Sequence, residues 1–241
     1  MPELVSCILV TRNRPVFLRQ ALRNYSLQNH PHSELIVVDD SDTPLSDLCA
    51  GLPNVRYIGL EARTPTGAKL NIGIEAAQGD ILQKLDDDDY YGSDFLATAT
   101  ERLCRSDNPR ALVAWCCFAV LIAGEEALFY SGHGWKAGGT LCFRRELWLQ
   151  HRFQARFRGS DSWFIRDNQP ELLRVCAPDQ YMLVRHGNNT WHLVGDASGV
   201  CSPEEYFRKR RRYPKSVEDL VGEQSSAFYR SLLHAAPVQV G

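Results

Sequence analysis

The sequence predicts an α/β fold with a mostly parallel central sheet, flanked by helices and followed by a helical C-terminal appendage. Three observations predict it. Short apolar runs alternate with amphipathic segments through the first hundred residues, as strands and helices do in parallel sheets. Acidic and polar residues directly follow several apolar runs, at the sheet edge where α/β proteins bind ligands. From residue 203 onward the pattern is helical and charged.

The elements of the first half are marked by their boundary residues. Pro15 suits the first turn of a helix, Gly79 suits a helix end, and Ser93 is a candidate N-cap. The predicted strands are residues 5–10, 34–40, 55–60 and 80–84, and the predicted helices are residues 15–27, 67–77 and 94–104.

The second half is less regular. Two strand-like stretches surround a turn at Gly124, a glycine-rich loop follows, and a short strand leads into a helix. The predicted elements are strands 111–123 and 127–131, the loop 132–139, a helix over 144–150, a helix over 160–167 and a strand over 181–187. We expect one domain over residues 1–200 and a helical extension over 201–241.

The composition is that of an ordinary globular protein. Of 241 residues, 44% are hydrophobic and 23% are charged, and the net charge of −2 exerts no general pull toward nucleic acid or membrane. No apolar run approaches the roughly 20 residues that span a bilayer. The N-terminus lacks the basic leader of a signal peptide, so a cytoplasmic location is expected.

Eight cysteines are scattered along the chain without a C-x-x-C pair. Zinc would need tighter spacing, and a disulfide framework is not expected in a chain of this size with no export signal. We therefore expect free, mostly core cysteines in a reducing cytosol. They are Cys7, Cys49, Cys104, Cys116, Cys117, Cys142, Cys176 and Cys201.

Four consecutive carboxylates, residues 86–89, follow the fourth predicted strand. Adjacent carboxylates repel one another, so a fold has little stability reason to gather them. Magnesium and manganese prefer oxygen ligands and commonly take phosphate oxygens from a substrate. The run therefore indicates a metal-assisted site for a diphosphate. The alternative is a solvated acidic loop or an Asp-rich helix start.

Four motifs occur in order: TRNR after the first strand, VVDD after the second, GAKLNIG on a helix and LDDDD after the fourth strand. Over about residues 4–95 this series resembles the family 2 glycosyltransferases with a GT-A fold. The resemblance implies inverting transfer of one sugar from a nucleotide diphosphate sugar, most often a uridine diphosphate sugar. The acceptor would be a glycan, a lipid-linked molecule or a small molecule. The implied cofactor is a divalent metal, manganese or magnesium.

The resemblance implies that the domain has a nucleotide-binding half (1–100) and an acceptor-binding half (101–200). It also implies roles for individual residues. Asp39 or Asp40 would hydrogen-bond the base, Asp86 would contact ribose or a metal-bound water, and Asp88 would bind the metal directly. The implied nucleotide-binding residues are Thr11, Asn13, Arg14, Asp39, Asp40, Lys69, Asp86 and Asp87. The implied acceptor- or sugar-binding residues are Trp135, Gly138, Gly139 and Asp89.

Asp161 is the predicted catalytic base. In the family an acidic residue that follows a glycine and opens a helix deprotonates the acceptor hydroxyl, and the segment GSDSW fits that context. Many relatives have Glu-Asp at this point, whereas this chain has Ser160 before the aspartate. The alternative is that Asp161 only caps the helix. Asp167 is a weaker candidate, since its neighbours suggest a solvated helix end.

His192 is a candidate extra metal ligand, because some GT-A enzymes use a C-terminal histidine. The alternative is a packed histidine beside Trp191, and His186 is a weaker candidate ligand. The run Arg208, Lys209, Arg210, Arg211 and Arg212 is the dense basic segment of the chain. It could hold the donor diphosphate, an anionic lipid leaflet or a phosphate-bearing acceptor, or form a solvated helix face. Nucleic-acid binding is disfavoured, since the patch is short and the chain slightly acidic.

Two other functions remain open from the sequence. A nucleotidyltransferase also joins an α/β sheet to a carboxylate-held metal, but it would normally carry a glycine-rich basic loop after the first strand. A nucleotide-sugar-binding module without catalysis is the non-enzymatic reading, and the intact Asp86, Asp88 and Asp161 argue against it.

Overall fold

The computed structural model describes residues 3–187, 189–196 and 199–233 and confirms the predicted α/β class. The strands are β1 (Val5–Thr11), β2 (Ser33–Asp39), β3 (Val55–Gly59), β4 (Ile81–Asp86), β5 (Tyr90–Tyr91), β6 (Ala111–Cys117), β7 (Ala119–Ile122), β8 (Phe129–Tyr130), β9 (Cys142–Arg144), β10 (Glu171–Cys176), β11 (Tyr181–Arg185), β12 (Val194–Asp196) and β13 (Gly199–Cys201). The helices are α1 (Pro15–Ser26), α2 (Ser46–Cys49), α3 (Thr66–Ala76), α4 (Phe95–Cys104), α5 (Arg145–Gln150), α6 (Ser160–Asn168), α7 (Pro203–Arg208), α8 (Val217–Val221) and α9 (Glu223–Leu233), with a 3-10 turn at Gly138–Thr140.

The central sheet has seven strands in the order β10-β6-β9-β4-β1-β2-β3. Neighbouring strands are parallel except where β9 runs antiparallel to β4 and to β6. Val10 pairs with Val38 on one side and with Asp86 on the other, and Thr11 pairs with Asp39. The carboxyl ends of β1, β2 and β4 therefore coincide, and the residues that follow them lie at one edge of the sheet.

Helices cover both faces of this sheet because side chains alternate along its strands. Leu9 of β1 lies in one core with Leu18 of α1 and Phe95 of α4. Ile8, on the opposite face, lies in a second core with Leu70 of α3 and residues of α5 and α6. Pro15 occupies the first turn of α1, as predicted, where its missing N–H costs no hydrogen bond.

A smaller second sheet has the order β5-β11-β7-β8. Strands β11 and β7 are parallel, and the outer pairs are antiparallel. Met182 and Val184 of β11 form a third core with Leu220 of α8 and Tyr229 of α9. The C-terminal helices thus supply half of a core that lies next to the acidic run.

The segment after residue 201 is attached through buried polar contacts as well. The fully buried Tyr229 donates its hydroxyl hydrogen to the backbone oxygen of Asp89 at 3.2 Å and accepts from Asn24 Nδ2 at 2.9 Å. The hydroxyl of Tyr90 donates to the backbone oxygen of Leu220. These bonds hold α8 and α9 against the loop that carries the four aspartates.

Several local predictions differ from the structure. The predicted strand 111–123 is divided at Phe118, because its two halves enter different sheets as β6 and β7. Asp94, not Ser93, is the N-cap of α4, and it makes no side-chain capping bond. Strand β10, which pairs with β6 at the end of the central sheet, was not predicted.

The expectation that all cysteines are free is wrong for Cys117 and Cys176. They form a disulfide between the neighbouring strands β6 and β10, with their Cα atoms 5.2 Å apart. The pairing of these strands places both residues in register, and a separation of 59 residues hides that proximity in the sequence. Among the free cysteines, Cys7, Cys49, Cys116 and Cys142 are buried, as expected, whereas Cys104 is exposed.

Candidate functional site

The carboxyl edge of the central sheet brings together the polar residues that follow β1, β2 and β4. Thr11 Oγ1 donates to Asp87 Oδ2 at 2.7 Å, and Arg14 Nη1 lies 2.8 Å from Asp87 Oδ1. Burial raises the pKa of Asp87 to about 6, against the opposing effect of Arg14. Asp87 thus ties the turn after β1 to the acidic run.

Asp88 is buried and serves as an acceptor for three side chains from two separate parts of the chain. Its Oδ2 lies 3.0 Å from Arg14 Nη1, 3.0 Å from His186 Nε2 and 3.1 Å from Asn189 Nδ2. Burial alone would raise the pKa of Asp88, but the contacts with His186 and Arg14 hold it below its usual value. Asp88 is therefore a stable carboxylate with a histidine nitrogen beside it.

Asp89 faces the protein interior. Tyr181 donates its hydroxyl hydrogen to Asp89 Oδ2 at 2.5 Å, and the backbone N–H of Val184 donates to Oδ1 at 2.9 Å. Burial and the carboxylates of Asp88 and Asp86 raise its pKa well above the usual range. The contacts give Asp89 a structural role in holding β11, and its predicted sugar contact stays a prediction.

The two aspartates after β2 are also enclosed. Asp39 accepts from the backbone and hydroxyl of Ser41, from the Leu45 N–H and from the Tyr57 hydroxyl. Asp40 pairs with the buried Lys69 at 2.5 Å.

Lys69 also donates to the backbone oxygen of Thr11 at 2.8 Å, and so it braces the turns after β1 and β2. Asn13 adopts a left-handed conformation with φ 53°, which asparagine tolerates better than most residues. Its Nδ2 donates to the exposed Asp42 at 2.6 Å. These residues shape the floor of the predicted nucleotide pocket.

Asp161, the predicted base, lies at the start of α6 and faces the end of β4. Its Oδ1 is 3.5 Å from Nζ of Lys84, and the same nitrogen is 2.5 Å from Oδ1 of Asp86. The Lys84 side chain is 4% exposed, whereas those of Asp86 and Asp161 are 33% and 28% exposed. One buried cation therefore holds two partly open carboxylates.

The surroundings shift the pKa values of Asp161 and Lys84. Desolvation by the surrounding protein and the carboxylate of Asp86 raise the pKa of Asp161 to about 6, against the opposing effect of Lys84. Burial alone would lower the pKa of Lys84, but Asp161 and Asp86 raise it. Asp161 is thus a carboxylate whose proton affinity lies close to that needed of a general base at neutral pH.

Two glycines adjoin these carboxylates. A Cβ atom on Gly138 would lie 2.5 Å from Asp161 Oδ2, and one on Gly139 would lie 2.7 Å from Asp86 Oδ2. Distances below 3.0 Å are essentially never seen for a real Cβ. A side chain at either position would therefore require the carboxylate or the loop to shift.

Trp135 packs into an aromatic cluster. Its ring lies 5.7 Å from that of Tyr206, 5.5 Å from that of Phe207 and 5.8 Å from that of Trp191. The cluster joins the glycine-rich loop to α7, which leads into the basic run. The contact of Trp135 with a sugar stays a prediction.

The chain carries a sequence match to a known family. A profile described as Glycosyl transferase family 2 matches residues 6–120. Over these residues the chain belongs to glycosyl transferase family 2. This region contains β1, β2 and β4 and all four aspartates of the acidic run.

Curated relatives of the family 2 region are named uncharacterized glycosyltransferases. One from Bacillus subtilis (strain 168) is 34% identical over 90 residues, which is 36% of this chain and 33% of the relative. One from Haemophilus influenzae is 30% identical over 98 residues, or 39% of each chain. One from Rickettsia felis is 30% identical over 94 residues, or 37% of this chain and 15% of the relative. The matches therefore span well under half of these relatives.

Solved structures share the fold over more of the chain. A mannosyltransferase from Pyrobaculum calidifontis, in complex with GDP-Man and Mn2+, superposes with a TM-score of 0.60 at 19% identity, covering 79% of this chain and 59% of that one. S. aureus TarS 1–349, in complex with UDP-GlcNAc, superposes with a TM-score of 0.59 at 17% identity, covering 77% and 59%. These likenesses identify the GT-A fold of this chain.

The family motifs pointed to most of the residues that meet at this edge, but not to all. His186, ranked behind His192 in the sequence, is the histidine that contacts Asp88, whereas His192 is exposed. The role of His192 as a metal ligand stays a prediction. Asn189 and Lys84 were not singled out. A lysine inside an apolar strand, two residues before an acidic run, is the signal that could have identified Lys84.

Asp167, the weaker candidate base, has its carboxylate turned toward Gln154 and Arg166. Its carboxylate accepts from Gln154 Nε2 at 2.5 Å and pairs with Arg166. The hydrogen bond from Gln154 and the charge of Arg166 lower its pKa. A carboxylate of lowered pKa makes a weaker base than Asp161.

Proposed function

We propose that this protein transfers one sugar from a nucleotide diphosphate sugar, with a uridine diphosphate sugar as first choice, to an acceptor hydroxyl with inversion at the anomeric carbon. The product belongs to glycan or cell-surface polysaccharide synthesis. The observation that carries the proposal is the convergence of Asp161 and Asp86 on the buried Lys84, beside the two glycines. This arrangement lies at the carboxyl edge of a parallel sheet, where such folds bind ligands.

The acceptor is activated by Asp161 in this proposal. Its carboxylate accepts the proton of the acceptor hydroxyl, and the freed oxygen electron pair forms a bond to the anomeric carbon. The bond between that carbon and the diphosphate oxygen breaks, and its electron pair leaves with the diphosphate. Attack from the face opposite the leaving group inverts the configuration. The raised pKa of Asp161 supports this role, because a base titrating near the working pH transfers protons efficiently.

The residues present fit a divalent metal. Asp88 keeps a carboxylate, and His186 Nε2 contacts its Oδ2 directly at 3.0 Å, so an ion bound here would replace this contact with a bond from each atom. Carboxylate oxygens suit magnesium and manganese, and an imidazole nitrogen suits manganese better than magnesium. Asp88 with His186 would hold the ion, and Asp86 would contact it through water. When bound, the metal would stabilise the negative charge of the departing diphosphate.

The nucleotide would lie over the turns after β1 and β2. This edge is lined or braced by Thr11, Asn13, Arg14 and the pair Asp40–Lys69. Asp39 or Asp40 remains the proposed partner of the base. Both carboxylates are engaged by protein donors. Nucleotide binding in this pose would exchange one of those bonds for a bond to the base. GDP-Man and UDP-GlcNAc are the donors named for the two structural relatives.

The test is donor turnover across a panel of nucleotide sugars with manganese, with magnesium and with chelator. We expect slow release of the nucleoside diphosphate from one donor, dependent on metal and lost in Asp88→Ala. Binding of no nucleotide sugar in any condition would overturn the proposal and favour a nucleotidyltransferase, which a panel of nucleoside triphosphates with sugar phosphates would reveal. Donor binding without turnover, with or without added acceptors, would favour a binding module.

A peripheral membrane contact is a further part of the proposal. Arg208 pairs with Glu125, while Arg210 stacks on Tyr206 and Arg211 on Tyr130, so cations and aromatic rings share one surface. Such a surface suits an anionic leaflet. In the described part of the chain, no helix has the length and apolar content to cross a bilayer. Flotation with phosphatidylglycerol vesicles should fall with salt, and salt-independent binding would exclude this contact.

A further inference from the structure

A wide, open cleft of about 550 Å³ lies along α6, and its lining includes Ser162, the residue after the predicted base. Lys136 of the glycine-rich loop borders one side, and Ser162, Arg166 and Gln169 supply polar groups from α6 and its C-terminal end. Pro170 and Leu172, which flank the start of β10, add an apolar wall. The charged groups in this lining are both cations.

The cleft and the carboxylate of Asp161 are close along the helix. Ser162 follows Asp161 directly, and Ile165, one helical turn after Asp161, also lines the cleft. Residues four apart lie on the same helix face. From the opposite side, Lys136 precedes by two residues Gly138, which adjoins the Asp161 carboxylate. A molecule that presents a hydroxyl to Asp161 would therefore extend into this cleft.

The two cations of the cleft are available in different ways. Lys136 is exposed, and no carboxylate of the described residues lies within ion-pair distance of it. The guanidinium carbon of Arg166 lies over the ring of Trp163, 3.1 Å from its centroid, and its Nε and Nη2 donate to Asp167. Stacking and pairing orient this guanidinium, so less conformational freedom is lost when its other N–H groups bind a ligand.

We propose that this cleft binds an anionic group of the acceptor, a phosphate or a carboxylate, and so makes the enzyme selective for negatively charged acceptors. The inference rests on the proposed function. The donor diphosphate is assigned to Asp88 and to the first half of the sheet, which contribute no residue to the cleft. The acceptor is therefore the molecule that meets Lys136 and Arg166.

The experiment compares matched acceptors that differ in charge: glucose with glucose 6-phosphate, glycerol with glycerol 3-phosphate, and galactose with galacturonate. With the wild-type protein and its donor, we expect kcat/KM for the anionic member of at least one pair to exceed that of the neutral member by about tenfold or more. Lys136→Gln and Arg166→Gln should each remove about tenfold of that preference, mainly through acceptor KM. Lys136→Arg should retain it.

Arg23→Gln and Arg105→Gln are the matched controls. Both arginines are exposed near the C-terminal ends of α1 and α4, at the opposite edge of the sheet, and both changes remove one positive charge. They should leave the preference unchanged. A preference lost equally in the controls would mean a general charge effect and would overturn the assignment to the cleft.

Donor hydrolysis in the absence of acceptor separates the two proposals. If the wild-type protein hydrolyses no donor, the proposed function fails. If it hydrolyses donor but treats charged and neutral acceptors alike, or if Lys136→Gln keeps the preference, the cleft assignment fails alone. A polyprenyl-linked sugar diphosphate and the soluble sugar 1-phosphate then identify the source of the anion. If Lys136→Gln lowers kcat/KM for either of these two acceptors, the cleft recognises the phosphate of that acceptor. If kcat/KM is unchanged for both, the assignment to the cleft is overturned.

Discussion

The buried Lys84 and the partly exposed Asp161 form an ion pair across the candidate site, with Nζ and Oδ1 3.5 Å apart, although 77 positions separate them in the chain. Lys84 lies inside β4 and Asp161 opens α6, so the pair joins the family 2 region to the second half of the fold. Because Lys84 also pairs with Asp86, the orientation of the base depends on the strand that carries the acidic run.

Replacing Lys84 should impair sugar transfer more than donor binding. Lys84→Met removes the cation that orients Asp161, and misplacement of a reacting group by about 1 Å can cost about 100-fold in rate. We expect kcat to fall by about that factor, with donor affinity measured by calorimetry changing less than threefold. Lys84→Arg, which keeps the charge, should recover part of the rate. Equal losses in kcat and donor affinity would contradict this role, provided that thermal unfolding shows both variants folded.

Removing the base should abolish transfer and leave the fold and donor affinity intact. Asp161→Asn keeps the shape of the side chain but cannot accept the proton, and general-base catalysis contributes about 100- to 10,000-fold. Asp167→Asn is the control, because its carboxylate is turned to Gln154 and Arg166. Initial rates of product formation measure both variants. A stronger loss in Asp167→Asn would transfer the role of base to that residue.

The transfer rate should depend on pH through Asp161, whose pKa is raised to about 6. The active form is the deprotonated carboxylate, so kcat/KM should fall as the pH drops below about 6 and level off above it. Profiles from pH 5 to pH 8 test this with a fixed metal concentration. The pKa of Asp87 is also raised to about 6, but its carboxylate faces Thr11 and Arg14. Asp87→Asn should therefore still show the fall of kcat/KM at low pH. A flat wild-type profile would falsify the assignment.

Gly138→Ala should lower activity sharply, because the new Cβ would lie 2.5 Å from Asp161 Oδ2 and displace the loop or the base. Gly132→Ala is a control within the same loop. Its φ of 81° makes alanine strained, at a cost of about 1 kcal/mol or more, but no atom lies within 4 Å of the new Cβ. We expect a larger loss of kcat in Gly138→Ala and a larger loss of melting temperature in Gly132→Ala. The reverse pattern would argue against a tight approach at Gly138.

Metal binding should depend on Asp88 and His186. Asp88→Ala should abolish metal-dependent donor turnover, and His186→Ala should weaken manganese affinity by about 10- to 100-fold, as expected when a ligand or its close partner is lost. His192 is the ligand predicted from the sequence, so His192→Ala is the matched variant, and the proposed Asp88–His186 pair predicts little change in it. Manganese titrations followed by electron paramagnetic resonance measure the affinities. A greater effect at His192 would restore the ligand assignment made from the sequence.

Much of the first half could be predicted from the sequence. Apolar runs mark the strands of this half. The residues that follow β1, β2 and β4 meet because parallel strands align their carboxyl ends. The second half was harder to predict. The run 111–123 is uniformly apolar, and nothing in its composition shows that Phe118 divides it between two sheets. Strand β10 carries alternating exposed and buried residues in a short segment, which is a weak signal.

The α/β class, the family of residues 6–120 and the acidic run can all be read from the sequence, because they depend on local periodicity and on motifs within short segments. The partner of each aspartate is known only from the folded chain. Lys84, His186 and Cys176 owe their partners to contacts between segments far apart in the chain. Such contacts follow from strand order, register and burial, and no local pattern of residues encodes them.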